Sequence, residues 1–332
     1  MKTISLSTVT PVYSGASYLS RLIEELNKLR EKWLTSNAPI SLEEAIFVDD
    51  SAIDNSPQIL DEISLKYSWV TVIHLSRNFG QHSATVAGIL HSSGDWIVTL
   101  DEDLQHHPDQ IEHFLKRVST QSCDVVYAHP QENVHESLIR DISSSLYKML
   151  IAKLAGDKNI LLFNSFRLIR GSIGRAASSV CSHDMYFDIV LSWFTERVCT
   201  IHILLKDERL IGGGKSGYTL RKLLSHARRM IISTHTKALR IGALIGLGGV
   251  LTSIFYGGYV IFIKTLTPDS LIHGLASSLI TTLFFGGIIV SLISVLLEYI
   301  SVILLHAQGK PTFFVVDRRD DKILAKYFQD DS

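Results

Sequence analysis

Asp101-Glu102-Asp103 sets two carboxylates on either side of one residue, directly after the apolar run 96–100 and just before Leu104-Gln105. On an irregular turn, acids at i and i+2 can face one hard cation. Mg²⁺ and Mn²⁺ prefer oxygen ligands, and Mg²⁺ is usually held by one or two carboxylates plus substrate phosphates. The chemistry served is neutralisation of a diphosphate leaving group as its bond breaks. A D-x-D tripeptide alone is common. A second acidic pair, Asp49-Asp50, ends the run 45–48. A carboxylate there can accept hydrogen bonds from ribose hydroxyls or a base N–H, or it can cap a turn.

The elements that must position these acids alternate in type. Residues 4–10, 45–48, 70–75, 96–100 and 124–128 read as strands, and Leu19, Leu22, Ile23, Leu26 and Leu29 fall at helical spacing. Strands alternating with helices predict an α/β domain with a mostly parallel, Rossmann-like sheet and right-handed crossovers. Ligands of such sheets bind beyond the carboxyl ends of the strands. Both acidic clusters end strands, so both are expected at that edge.

The formal net charge of −1 gives no field suited to nucleic acid. The three cysteines are odd in number and show no CxxC spacing, so Cys123, Cys181 and Cys199 read as buried free thiols. His82, His91, His106 and His107 lack metal-ligand spacing and read as surface or supporting residues. No apolar run near Met1 suits a signal peptide, which places the N-terminal domain in the cytosol.

Mean hydropathy is nevertheless positive, at +0.21, and the excess sits in the C-terminal third. Residues 241–263 carry no Asp, Glu, Lys or Arg, and 275–305 carry only Glu298. A helix of the first run would extend about 34 Å, enough for a bilayer core of about 30 Å. Two transmembrane helices are expected. Arg221, Lys222, Arg228, Arg229, Lys237 and Arg240 precede them, and Lys310, Arg318 and Arg319 follow. The short connection has Asp269 and His273. This asymmetry places both flanks in the cytosol and the connection outside. Residues 218–240 mix these basic residues with Leu220, Leu223, Leu224, Met230 and Ile231, as interfacial helices do. Glu298 reads as a paired acid in the hairpin. Gly246, Gly248, Gly249, Gly257 and Gly258 would let helices pack closely, including those of a homo-oligomer.

Four segments, in order, carry a resemblance to a known family: Val9-Thr10-Pro11-Val12-Tyr13, Val48-Asp49-Asp50-Ser51, Leu75-Ser76-Arg77-Asn78-Phe79-Gly80-Gln81, and Asp101-Glu102-Asp103-Leu104-Gln105-His106-His107-Pro108. Ser165-Phe166-Arg167-Leu168 and Gly214-Lys215-Ser216-Gly217-Tyr218 add to it. The chain resembles the family 2 inverting glycosyltransferases of GT-A fold, in the branch of dolichol-phosphate mannose synthases and bacterial polyprenyl-phosphate glycosyltransferases. The combination is specific, whereas no single motif is.

The resemblance implies a nucleotide-sugar donor, a polyprenyl-phosphate acceptor, Mg²⁺ or Mn²⁺, and a bacterial inner-membrane location. Pro11 and Tyr13 would border the nucleotide, and Asp49 and Asp50 would meet the nucleoside. Arg77, Asn78 and Gly80 would shape the donor pocket. Asp101 and Asp103 would hold the metal and diphosphate, with Gln105 beside them. Ser165, Arg167, Lys215, Ser216 and Tyr218 would serve the acceptor and phosphate side. The implied organisation is a catalytic domain over 1–212, juxtamembrane helices over 213–240, two spans over 241–308 and a tail over 309–332.

Three features depart from the family pattern. Ser165 stands where the bacterial branch often has an acid proposed as a base. No arginine follows Tyr127-Ala128 before Arg140, and Glu102 stands where small residues are common. Asp184 and Asp188 remain as candidate bases or as helix-surface acids. Two other readings stay open: transfer to another glycolipid or polysaccharide, and a non-catalytic membrane scaffold that binds a nucleotide-sugar.

Overall fold

A computed structural model of the chain describes residues 3–130, 162–182, 185–203, 311–316 and part of 252–307. In chain order the elements are β1 (Ile4–Val12), α1 (Leu19–Thr35), β2 (Ile40–Asp49), α2 (Ser56–Lys66), β3 (Val70–His74), α3 (Gln81–Leu90), β4 (Trp96–Thr99), α4 (Ile111–Thr120), β5 (Val125–Pro130), β6 (Arg167–Arg170), α5 (Gly171–Val180), α6 (Phe187–Ser192), β7 (Val198–Ile203) and α7 (Gly274–Ala307).

The strands form one seven-stranded sheet in the order β3-β2-β1-β4-β6-β5-β7. The expected parallel pairings hold for β1 with β2 and β4, and for β2 with β3. β6 is the exception, antiparallel to both β4 and β5. Period-two alternation fills both faces, because a sheet covered by helices on each side must be apolar on each side. On β2, Leu42, Ala45 and Phe47 join one core cluster, while Ile46 and Val48 join the other. On β4, Trp96 and Val98 face one way and Ile97 the other. The first cluster takes up the buried stripe of α1, which contains the five apolar positions read from the sequence and adds Trp33. α3, α5 and α6 cover the second.

β1 and β2 end level, and β4 stops three residues earlier at the same edge, with Thr99 opposite Val9. Val12 pairs with Asp49, and the amide of Asp50 donates to the Val12 carbonyl at 2.8 Å. The Leu100 amide reaches the Val9 carbonyl at 3.1 Å. Three loops therefore leave the sheet at one edge, two of them carrying the acidic clusters.

Two expectations need correction. Cys123 and Cys199 form a disulfide, and Cys181 is the free cysteine. Cys123 lies just before β5 and Cys199 on the neighbouring parallel strand β7, with Cα atoms 6.0 Å apart across 76 residues of sequence. Spacing along the chain carries no trace of that pairing. Asp188, read as a surface acid or a base, is instead 1% exposed and bonded within the core to the Tyr127 hydroxyl and to Arg167.

α7 runs 34 residues over the second apolar stretch. Phe284, Ile289, Ile293, Leu296, Ile300 and Ile303 are exposed along it. Counting only described residues, no helix is long and apolar enough to cross a membrane; the full sequence of α7 has Glu298 as its sole Asp, Glu, Lys or Arg. Residues 204–240 and most of 241–263 lie outside the described residues, and with them the juxtamembrane helices and most of the first expected span. After α7 the chain returns to the sheet. Val315 forms an antiparallel bridge with Leu75, immediately after the edge strand β3.

Candidate active site

The β1–α1 loop shows how the site is framed. Four successive amides there point away from any regular ladder, and each finds a side-chain acceptor on another loop or at the start of α2. The amides of Tyr13 and Ser14 donate to the Glu102 carboxylate at 2.9 and 3.2 Å. Gly15 donates to the Ser56 hydroxyl at 3.1 Å, and Ala16 to Asp54 at 3.1 Å. A Cβ on Gly15 would come within 2.7 Å of a Glu102 carboxylate oxygen, so glycine is what lets the acid reach the loop.

The second loop is organised by Asp50. Its two oxygens accept from the amides of Phe79 and Gly80 at 2.7 and 2.8 Å. Burial holds this carboxyl above the usual carboxylate range, against the opposing pull of those two amides. Gly80 has φ of +92° and ψ of 156°, a conformation essentially reserved for glycine. It turns the chain into α3 while keeping its amide on Asp50. The Arg77 guanidinium lies over the Phe79 ring at 4.5 Å.

The acidic turn is the third loop. Leu104 adopts φ of +60°, in the left-handed region that costs a bulky residue energy, and it is 2% exposed. That reversal lets the Gln105 amide donate to Asp103 at 3.2 Å. Asp101 is held by both oxygens: the Gln81 side chain donates to one at 2.7 Å and the Ser165 hydroxyl to the other at 2.9 Å. His106 lies beneath, stacked on Phe166 with centroids 4.7 Å apart, and its Nδ1 accepts from the Asp101 amide at 3.3 Å. Burial pushes its pKa down, outweighing the attraction of Asp101 and Asp103.

Together these loops enclose a cavity of about 300 Å³ lined by Pro11, Val12, Tyr13, Asp50, Asn78, Gly80, Gln81, Asp101, Glu102 and Asp103. Seven of the residues singled out in the sequence meet there: Pro11, Tyr13, Asp50, Asn78, Gly80, Asp101 and Asp103. Ser165 touches the cavity through Asp101. Asp49 does not line it; its carboxylate accepts from Ala52 and pairs with His74 at 2.8 Å. Arg77 and Gln105 sit beside the lining rather than in it. Arg167 is 3% exposed, with its guanidinium on Asp188 and over the Phe187 ring. Lys215, Ser216, Tyr218 and Asp184 lie outside the described residues. Glu102 and Gln81 are the residues that sequence reasoning left without a role. Gln81 stood within a quoted motif, and Glu102 between two quoted acids, so position was the available signal.

Asp50, Asp101, Glu102 and Asp103 put four carboxylates on one cavity, whose described lining has no lysine or arginine. An anionic diphosphate would be repelled from such a surface unless a divalent cation stood between them. Among the described residues no group of three or more His, Cys, Asp or Glu side chains is arranged to hold a metal on its own. Two carboxylates completed by phosphate oxygens fit both facts.

A doubly covered sheet whose carboxyl edge carries a D-x-D turn beside a second acid defines the GT-A class of α/β domain. The sequence model described as Glycosyl transferase family 2 matches residues 7–173, and the chain belongs to that family. It is 30% identical over 316 residues to the undecaprenyl-phosphate 4-deoxy-4-formamido-L-arabinose transferase of Serratia proteamaculans, covering 93% of this chain and 92% of that one. It is 25% identical over 317 residues to the bactoprenol glucosyl transferase of Shigella phage SfV, covering 95% and 99%. Among solved structures, mannosyl-3-phosphoglycerate synthase from Rubrobacter xylanophilus superposes with a TM-score of 0.51 at 13% identity, over 72% of this chain and 75% of that one, a likeness of fold.

Proposed function

We propose that the protein transfers a sugar, with inversion, from a nucleotide-diphospho-sugar to a polyprenyl phosphate at the cytoplasmic face of a membrane, the bacterial inner membrane. The observation that carries this reading is the convergence of Asp50, Asp101 and Asp103 on one cavity at the carboxyl edge of the sheet. Relatives that match nearly end to end and are named for transfer to undecaprenyl phosphate or bactoprenol support the acceptor.

Asp101 and Asp103 are the residues that would hold Mg²⁺ or Mn²⁺, and the ion would neutralise the departing diphosphate. Gln81 and Ser165 fix the plane of the Asp101 carboxylate before any ligand arrives, so little reorganisation is needed. Glu102 and Asp50 hold the loops bearing Tyr13 and Asn78 on either side of the nucleotide. A general base is not required of this site. A phosphate monoester has a second pKa near 6 and is mostly dianionic at pH 7, so the acceptor oxygen needs positioning rather than deprotonation. That suits a chain in which Ser165 replaces an acid and Asp188 is committed to Arg167 and Tyr127.

The membrane part of the proposal rests on the sequences of 241–263 and 275–305, and the exposed apolar side chains of α7 support it. So does the return of 311–316 to the catalytic domain. If α7 crosses a bilayer, a chain that comes back to the same domain must already have crossed once. That favours two spans, with residues 1–212 and the tail on the cytoplasmic side. Asp101→Asn and Asp103→Asn test the mechanism. Each is expected to lower metal-dependent transfer by about a hundredfold or more while the melting temperature stays near wild type. Full activity in either folded variant would refute the assigned roles.

A further inference from the structure

β3 is an edge strand of the sheet. On its inner side it is paired to β2, and the Leu75 amide continues that pairing to the Asp49 carbonyl at 2.9 Å. An edge strand leaves its outer amides and carbonyls open unless another segment takes them. Here the segment that follows α7 does so. The Ser76 amide donates to the Phe314 carbonyl at 2.9 Å, and the Val316 amide donates to the His74 carbonyl at 3.0 Å. Phe313 packs into the second core cluster, which includes Ile73 and Leu75, with Phe79 packed against the same cluster.

The three residues His74, Leu75 and Ser76 are thus held from both sides, by β2 and by the tail. They launch the Arg77-Asn78-Phe79-Gly80 loop, whose last two amides clasp Asp50 and whose Asn78 and Gly80 line the cavity. We infer that residues 311–316 are a positioning element of the donor site: the chain beyond the last helix closes the sheet edge and holds the loop that shapes the nucleotide pocket. The inference rests on the transferase reading for its consequence in donor binding, while the brace itself is a property of the fold. It also ties the site to the apolar helix, because only three residues separate Ala307 from the first residue of the brace, so displacement of α7 would act on the donor loop.

The test uses the full-length protein in detergent and two variants. Val316→Pro deletes the amide that donates to His74, and Phe313→Ala removes the anchoring side chain without touching the backbone; Val316→Ala is the control. Hydrogen exchange over residues 74–80 is followed together with binding of UDP, GDP and dTDP in Mn²⁺. Both test variants are expected to speed exchange at Ser76 and weaken binding of the accepted nucleotide by about fivefold to tenfold, the equivalent of one to two hydrogen bonds. Val316→Ala should do neither. Unchanged exchange in both variants overturns the brace, and faster exchange with unchanged nucleotide affinity overturns its link to the site. If the wild type binds none of the three nucleotides, the transferase reading has failed, and the exchange result still decides the brace.

Discussion

Asp101 is oriented by two neutral donors, Gln81 and Ser165, one on each oxygen. Neutral donors hold a carboxylate without cancelling the charge a cation needs, which a lysine or arginine would do. Ser165→Ala should therefore lower kcat by about fivefold, the worth of one hydrogen bond, with the donor KM and the melting temperature little changed. Steady-state kinetics of the purified variant decide it, and a wild-type kcat would remove Ser165 from the site's machinery. The acids that a strand delivers to the sheet edge were legible from residue order alone, because an acid following an apolar run has nowhere else to go. Glu102 was not. Its function is to accept from Tyr13 and Ser14, 89 and 88 residues earlier in the chain, and nothing in a tripeptide announces a partner that distant. Arg167 shows the converse: a motif residue placed on the acceptor side by resemblance is packed against Asp188 inside the core.

At the level of elements, the parallel strands were readable because each is an apolar run bounded by turns. β6 was not, since it is four residues long and begins and ends in arginine, and its antiparallel insertion between β4 and β5 is a matter of topology. The disulfide depends on another pairing hidden from the sequence, that of β5 with β7. β3 carries a device that the sequence also conceals. His74 bridges Asp49 at 2.8 Å and Asp61 at 3.2 Å, tying β3 to β2 and α2. The hydrogen bond to Asp49 raises its pKa above the ordinary histidine value, against the lowering effect of burial, with the charges of Asp49 and Asp61 adding to the rise. A raised histidine pKa gives stability that is fully present below about 6.5, the unfolded value, and is lost as pH climbs through the folded value. The melting temperature of the wild type should thus fall from this source as the pH rises above about 6.5. His74→Asn should remove that component of the slope and be most destabilised relative to wild type at the acid end of the window. Parallel pH profiles for the two proteins would contradict the assignment.

At the scale of the molecule, the sheet, the acidic edge and the apolar C-terminal third were all visible in the order of residues. The closing contact, from the end of α7 back to the edge of β3, was not, because a short exposed tail has no periodicity to read. That contact and the charge asymmetry of the flanks argue for the same topology by independent routes. A cysteine placed at Ser270 should react with a membrane-impermeant maleimide added to cells whose outer face is exposed, while Cys181 of the catalytic domain stays unlabelled. The reverse pattern would refute the two-span arrangement. The central claim is the reaction itself. Purified protein in Mg²⁺ or Mn²⁺ would be given UDP-, GDP- and dTDP-sugars with undecaprenyl phosphate, and the extracted lipid analysed by mass spectrometry. A glycosylated lipid phosphate that disappears when EDTA is added is the predicted result; donor cleavage without a lipid-linked sugar, or no cleavage of any donor, would contradict it.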